Sequence, residues 1–283
     1  MPEIDAQHID TQRQDWNRVA PAWEKWDAHL ERNLAFLNHR LIGDARLRAG
    51  QRVLDLGSGT GYPALLAAQA VGGQGSVVGL DLAEAMLAVA RKKAKALGLA
   101  NVTFQAADIT ALPFGPASFD AVTSRFCLMF LPDVPKAVSE IARVLKPGGY
   151  LAAAVWSLPD RNPFVGLPLG VLKNFLAIPP PDPRQPGMFR LAKAGDLSGI
   201  AAQAGLHGVA DEEVAAEFCY ESPEEYLVSL MEMAAPLQPL FAKLTPAQRS
   251  EAESQIVRAA GQHRRGKQIA FPMAIRVVAA RKP

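Results

Sequence analysis

Between residues 52 and 156 the apolar positions alternate between two patterns. Short apolar runs at Arg52–Leu56, Ser76–Asp81, Val102–Ala106, Phe119–Ser124 and Tyr150–Trp156 read as strands. Longer segments between them carry apolar residues at three- and four-residue spacing and read as helices: Tyr62–Val71, Glu84–Leu97 and Asp133–Leu145. Gly72–Gly73, Gly98 and Pro147-Gly148-Gly149 mark where those helices stop. Alternation of this kind builds parallel βαβ units with helices on both faces of a sheet.

The flanks have a different rhythm. Trp16, Val19, Ala20, Trp23 and Trp26 recur at helical spacing but are interrupted by Pro21, which predicts two short helices or a kink. Leu30, Leu34, Leu37, Leu41 and Ala45 form one amphipathic stripe, with Gly50 as the expected end of that helix. After Trp156, residues 157–195 are rich in proline, including Pro179-Pro180-Pro181, with one apolar helix near Pro163–Ala177. Long irregular stretches in a compact domain are commonly functional, and the apolar content here predicts a lid. Ala194–Ala204 reads as a helix, and Val209–Tyr220 as a strand. Residues 222–260 are mostly helical, with a capping pattern at Ser222/Glu225 and a second start at Thr245-Pro246, and Ile269–Ala280 reads as a last strand.

With 49% apolar and 20% charged residues the chain is neither disordered nor fibrous. A net charge of +2 gives no broad attraction for nucleic acid or anionic lipid. Two cysteines, Cys127 and Cys219, cannot build a disulfide framework or a four-cysteine zinc site. The polar first twenty residues lack the apolar stretch of a secretion signal. No run reaches the ~18 apolar residues of a membrane span, so a cytoplasmic protein is expected. Seven acids in 211–225 face seven Lys or Arg in 258–282, which reads as two antiparallel strands of opposite charge at a sheet edge.

The chemistry collects at the ends of the predicted strands. The first runs into Asp55-Leu56-Gly57-Ser58-Gly59-Thr60-Gly61 and then a helix. Glycines at alternate positions let a backbone turn tightly and approach a ligand. The spacing departs from a dinucleotide fingerprint, because Tyr62 stands where the third glycine is needed, and no P-loop lysine follows. A carboxylate at Asp55 would repel a pyrophosphate and attract an ammonium group, which favours a cationic nucleoside over NAD or ATP. Asp81 ends the second strand, 20 residues after Gly61. It could accept both hydroxyls of a ribose or cap the next helix, and its distance from the loop favours ribose. Asp108 follows the third strand and could meet an adenine amino group, with Ile109 packed on the ring, or simply hold a turn. Ligands of doubly wound sheets bind outside the carboxyl ends of the strands, where all these residues fall.

Together, DLGSGTG, VVGLD, AADITALPF, SFDAVTSRF and VLKPGGYL resemble, in order and spacing, the class I S-adenosylmethionine-dependent methyltransferases. The nearest flavour is the ubiquinone/menaquinone-type small-molecule branch. The resemblance covers about residues 50–156 and implies a Rossmann-like α/β fold, a seven-stranded mostly parallel sheet with the last strand antiparallel. It implies S-adenosylmethionine as cofactor. Asp55, Gly57, Ser58, Gly59 and Gly61 would hold the methionine end, Asp81 the ribose and Asp108 the adenine amino group. Leu82 and Ile109 would pack on adenine, and Arg125 and Phe126 would line the sulfonium pocket.

On this reading residues 1–49 form a helical lid segment and 50–156 the cofactor-binding core. Residues 157–283 complete the sheet and carry cap insertions at 157–195 and 222–266. Trp23 and Trp26 either pack the first helices onto the domain or sit over the cofactor, where a cation–π contact is favourable. An apolar acceptor pocket is expected from Phe164, Leu167, Phe189, Tyr226, Leu230 and Met233, each equally plausible in a core. Among His8, His29, His39, His207 and His263 none has metal-ligand spacing, so no metal is expected. His29, beside the lid, is the candidate general base, with a core histidine favoured over it. The expected activity is methyl transfer to a small organic acceptor. An NAD-dependent oxidoreductase and a non-catalytic S-adenosylmethionine-binding protein are the alternatives.

Overall fold

The computed structural model describes residues 2–179, 182 and 185–283, with the side chains described from residue 9 onward. Pro180, Pro181 and the side chain of His8 lie outside the described residues. Seven strands form one sheet in the order β3-β2-β1-β4-β5-β8-β6. They are β1 (Arg52–Leu56), β2 (Ser76–Asp81), β3 (Val102–Ala106), β4 (Phe119–Arg125), β5 (Leu145–Trp156), β6 (His207–Tyr220) and β8 (Gln268–Arg281). β8 lies antiparallel between β5 and β6, and the pairs among β1 to β5 are parallel. An eighth strand, β7 (Arg264–Arg265), is two residues long and pairs with β8 off the main path.

Strand alternation sorts the core into two layers. Val53, Val77, Val102 and Phe104 pack against α3 (Ala64–Val71) and α4 (Glu84–Ala96). Leu54, Leu56, Leu80 and Val122 join the larger core, with Val138, Ile141 and Val144 of α5 (Val134–Val144) and Leu197 and Ala201 of α7 (Asp196–Gln203). Acidic side chains on both faces of edge strand β6 meet basic partners. Asp211 pairs with Arg276 at 2.7 Å, Glu217 with Arg265 at 2.5 Å, and Glu212 with Arg40 at 2.7 Å.

Several boundaries differ from the sequence reading; the apolar helix that starts at Pro163, for one, ends at Leu172 rather than Ala177. Pro21 does not break the first helix, since α1 runs continuously over Pro2–Lys25. Pro21 is exposed there, so water can take up the carbonyl that its missing N–H leaves unpaired. The turn falls at Trp26, after which α2 covers Asp27–Asp44. Gly50 does not close α2. It docks on α3 instead, donating its N–H to Val71 O at 2.8 Å, after a turn in which Arg46 adopts φ 50°. β5 starts at Leu145 rather than Tyr150, because Leu145 pairs with Phe119 across an irregular register before Tyr150 pairs with Ala121.

After β5 come α6 (Pro163–Leu172), α7, β6, α8 (Pro223–Met233), α9 (Gln238–Phe241) and α10 (Pro246–Ala260). Ser222 caps α8 by accepting from Glu225 N at 3.1 Å, and Thr245 with Gln248 makes a reciprocal capping box on α10. No helix among the described residues is long and apolar enough to cross a membrane.

Candidate active site

The turn between β1 and α3 is fixed from below and from the side. Gly57 N and Ser58 N both donate to Leu80 O, at 2.8 and 2.9 Å, which stitches the loop to β2. Gly61 N closes it on Ser58 O at 2.7 Å. Gly57, Gly59 and Gly61 all have positive φ, at 70°, 50° and 116°. Their surroundings differ. A Cβ on Gly57 would stand 2.3 Å from Cys127 Cβ, and one on Gly61 would stand 2.7 Å from Leu65. A Cβ on Gly59 would meet nothing within 4 Å. Gly57 and Gly61 are glycine for packing, whereas Gly59 faces the open space that a ligand needs.

Asp55 is wholly buried, so its carboxylate does not stand at the mouth of the loop. Its two oxygens accept from Thr123 Oγ1 at 2.6 Å and Ser58 Oγ at 2.7 Å. Burial pushes this carboxyl up to about 6, against those two hydrogen bonds and the nearby Arg125 guanidinium. Asp81 bridges two elements, accepting from Gly59 N and Ala83 N at 2.9 Å each. It is not the N-cap of α4, which is Ala83 with no side-chain cap; it holds the turn just before that helix and ties the glycine loop to it. Burial raises its carboxyl as well. Asp108 likewise serves a turn, accepting from Thr110 N and Oγ1 at 2.8 Å, both on Oδ1. Leu82 is half-buried beside Asp81, and Ile109 is buried.

The residues after β4 form the opposite wall. Phe126 adopts φ 56°, a strained conformation for a bulky side chain. Its ring stacks on Trp156 with centroids 4.1 Å apart and planes 6° from parallel. Trp156 meets Phe164 edge-on at 5.4 Å, and Phe164 stacks on Phe218 at 5.3 Å. Cys127 packs into the glycine loop, and burial pushes its thiol up, which disfavours the thiolate. Arg125 turns away from Phe126 toward α2. Its Nη1 donates to Asn38 Oδ1 at 2.8 Å and lies 3.5 Å from Glu31.

α1 crosses this end of the sheet. Val19 and Ala20 pack on Ala83 and Met86, directly after Asp81. Trp16, packed against the same cluster, meets Phe130 edge-on at 5.8 Å, and Gln12 Nε2 donates to Phe130 O at 3.0 Å. Trp23 Nε1 donates to Met233 O at 3.4 Å and Trp26 Nε1 to Glu232 at 2.6 Å, so both indoles bind α8 through their polar edges. His29 is buried in contact with Trp26, Phe218 and Tyr220, and burial lowers its basicity. Tyr226 belongs to the core: it is 1% exposed and its hydroxyl donates to Phe164 O. Phe164, Leu167, Phe189, Leu230 and Met233 are partly buried against that core.

Sequence reasoning placed Asp55, the glycines, Asp81, Asp108 and Phe126 together, and the structure gathers them at the carboxyl ends of β1 to β4. It did not single out Thr123, Glu31, Asn38 or Gln12. Thr123 could have been found from register alone, since pairing of Asp55 with Thr123 on parallel strands puts both on one face. A surface recess of about 640 Å³ lies elsewhere, between the end of α3 and the α4–β3 turn, and none of its lining side chains is titratable. No group of three His, Cys, Asp or Glu among the described residues could hold a metal ion.

The arrangement suits a nucleoside rather than a polyphosphate: an open glycine cradle, an acidic residue at the end of β2, and no lysine in the loop. Comparison with known proteins agrees. The profile of the family described as "Methyltransferase domain" matches residues 53–149. Demethylmenaquinone methyltransferase of Thermus thermophilus is 40% identical over 154 residues, covering 53% of this chain and 67% of the relative. Across four such curated relatives the chain spans between 45% and 67% of their length. Among solved structures, a protein from Bacillus halodurans described as "a putative methyltransferase" superposes with a TM-score of 0.58 at 23% identity, over 87% of this chain and 98% of that one. Phosphoethanolamine N-methyltransferase 2 of Haemonchus contortus, solved with S-adenosylhomocysteine, gives a TM-score of 0.55 at 24% identity, over 87% and 52%. The chain belongs to the S-adenosylmethionine-dependent methyltransferases.

Proposed function

We propose that this enzyme methylates a small, apolar, ring-bearing acceptor held against the aromatic wall that starts at Phe126. The observation that carries this reading is the pair of partly buried rings Phe126 and Phe164, backed by the buried Trp156 and Phe218 in one run of ring contacts beside the glycine loop. Flat aromatic walls with few polar groups suit a planar apolar ligand. The demethylmenaquinone named for the Thermus relative belongs to that class.

When bound, S-adenosylmethionine supplies a sulfonium methyl that needs no further activation. This chain's residues hold and orient. Asp81 would accept the ribose hydroxyls on the lone pairs left free by Gly59 and Ala83. Asp108 would offer Oδ2 to the adenine amino group, and Leu82 its half-buried side chain to the ring, while Ile109 is buried. Gly59 leaves room for the chain of the cofactor. α1, with Trp16 and Trp23, closes over this end and excludes water, and Phe164, Leu167, Phe189, Leu230 and Met233 bound the acceptor. Tyr226 backs this wall from the core rather than lining it. Alignment of acceptor and methyl in a dry site supplies most of the acceleration expected of such an enzyme. The low net charge fits a cytoplasmic enzyme acting on a small molecule rather than on nucleic acid.

Calorimetry tests the cofactor half of this reading, with S-adenosylhomocysteine expected to bind far more tightly than NAD or ATP. Formation of S-adenosylhomocysteine across a panel of hydroxylated aromatic and aliphatic acceptors tests the other half. Turnover confined to polar aliphatic amines would overturn the acceptor class.

A further inference from the structure

Asp55 is the residue that resemblance assigns to the methionine end, yet both of its oxygens are taken by Thr123 and Ser58 and it has no exposed surface. A second charged group lies beside it. Leu56 pairs with Ser124, so Arg125 stands opposite Gly57 at the top of β4. Two residues beyond Thr123 on the same strand, Arg125 points to the same face as Asp55. Its side chain is 9% exposed. Asn38, 1% exposed on α2, bridges it to Glu31: Arg125 Nη1 donates to Asn38 Oδ1 at 2.8 Å, and Asn38 Nδ2 donates to Glu31 Oε2 at 2.9 Å. Glu31 keeps 22% of its side chain exposed, and its Oε1 stays 3.5 Å from the guanidinium, a loose pair.

Further charges frame this cluster. Lys93 of α4 pairs with Asp27 of α2 at 2.6 Å, and its ammonium lies 4.2 Å from the centre of the Tyr62 ring, one residue past Gly61. Arg125 and Lys93 are thus set against Glu31, Asp27 and Asp55 around the start of α3. A guanidinium with further N–H groups beside a partly exposed carboxylate offers a zwitterion a donor fork and an acceptor a few ångströms apart.

We propose that Arg125 and Glu31 form the subsite for the zwitterionic amino-acid end of the cofactor: Arg125 binds its carboxylate, Glu31 binds its ammonium, and Asn38 is the positioning residue that fixes both. Asp55 stays behind the loop as a buried structural carboxylate. α2 then supplies a cofactor ligand as well as covering the sheet. This inference rests on the cofactor assignment above.

The test compares two nucleosides by calorimetry. S-Adenosylhomocysteine carries the amino-acid end, and 5′-methylthioadenosine carries the same adenosine and sulfur without it. The wild-type protein should prefer S-adenosylhomocysteine. Glu31→Gln, which is isosteric, and Arg125→Gln should each weaken it about ten- to hundredfold, a loss of the size expected for charge-assisted hydrogen bonds, and leave 5′-methylthioadenosine within about twofold. Equal weakening of both nucleosides, or of neither, would overturn the subsite. Should Arg125→Gln fail to fold, Glu31→Gln and the wild-type preference decide. A wild-type protein that binds both nucleosides equally well defeats the subsite alone, whereas one that binds neither defeats the cofactor assignment itself.

Discussion

The Thr123 hydroxyl donates to Asp55 Oδ1 at 2.6 Å across paired strands β4 and β1, one of two hydrogen bonds that hold a fully buried carboxylate under the glycine loop. Burial still prevails over these bonds and over Arg125, and leaves the Asp55 carboxyl at about 6 against 3.8 for a free aspartate.

That imbalance has a definite sign. Between about pH 4 and 6 the folded protein keeps a proton on Asp55 that the unfolded chain has lost. The stability this group contributes is complete below its unfolded value and disappears as the pH rises through about 6. Its size is at most about 3 kcal/mol. Asp55→Asn should remove this slope, since the amide cannot ionise and both hydroxyls can rotate to suit it. Urea denaturation at pH 4.5 and 6.5 should show the variant gaining on the wild type as the pH rises. A constant difference between the two would refute the assignment.

Gly57 and Gly59 should fail in different ways when changed to alanine. At Gly57 the new methyl collides with Cys127, so stability should fall by several kcal/mol, with partial recovery when Cys127→Gly is added. At Gly59 the methyl meets only open space, so the cost is the left-handed backbone alone, about 1 kcal/mol. S-Adenosylhomocysteine affinity should nonetheless drop in Gly59→Ala, because the methyl occupies the cradle. Thermal melts with and without the nucleoside separate the two effects. A Gly59→Ala protein that binds normally would show that the cofactor avoids this side of the loop.

Asp81→Ala should lose on both counts. The carboxylate ties Gly59 N and Ala83 N together, so its removal should cost about 1–3 kcal/mol of stability without any ligand. Loss of the ribose acceptor should weaken S-adenosylhomocysteine by a similar energy, roughly ten- to hundredfold. Adenine alone, which lacks the ribose, should bind the variant and the wild type equally. An affinity loss for adenine as large as for the nucleoside would assign Asp81 to scaffolding only.

Much of this fold is legible in sequence because the evidence for it is local. Arg52–Leu56, Ser76–Asp81 and Val102–Ala106 carry their own apolar run and their own stop, and their predicted ends coincide with the observed ones. Pro21 misleads because a proline forbids one hydrogen bond, and whether that matters depends on which side of the helix faces water. The glycine loop and its acidic companions are legible by spacing. The state of Asp55 is not, because Thr123 lies 68 residues away and the strand register brings it there. Arg125 and Asn38, 87 residues apart, meet only because α2 crosses the end of β4. Trp26 shows the same limit: its helical spacing is plain, but its choice of Glu232 on α8 is a matter of tertiary packing.

Glu232 is the latch between α1 and the acceptor-side helices. One carboxylate accepts from Lys25 Nζ at 2.7 and 2.8 Å and from Trp26 Nε1 at 2.6 Å, and the Lys25 hydrogen bond, followed by that of Trp26, holds it below the usual glutamate range. The two partners are unequal. Lys25 is 57% exposed, so that pair is screened and worth less than about 1 kcal/mol. Trp26 is 9% exposed, and its indole N–H would be left without a partner in a nearly buried site, at a cost of about 1–3 kcal/mol. Glu232→Gln keeps an acceptor for Trp26 and loses only the charge, so its stability should change by less than about 1 kcal/mol. Glu232→Ala loses both partners. It should speed amide hydrogen exchange across residues 12–30, and bound S-adenosylhomocysteine should leave faster as the cover over the cofactor loosens. Exchange mass spectrometry and stopped-flow dissociation read these two effects independently. If the Gln variant loosens α1 as much as the Ala variant, the latch is the Lys25 ion pair and not the tryptophan; if neither variant changes exchange or dissociation, α1 is held by Trp16 and Gln12 on Phe130 instead.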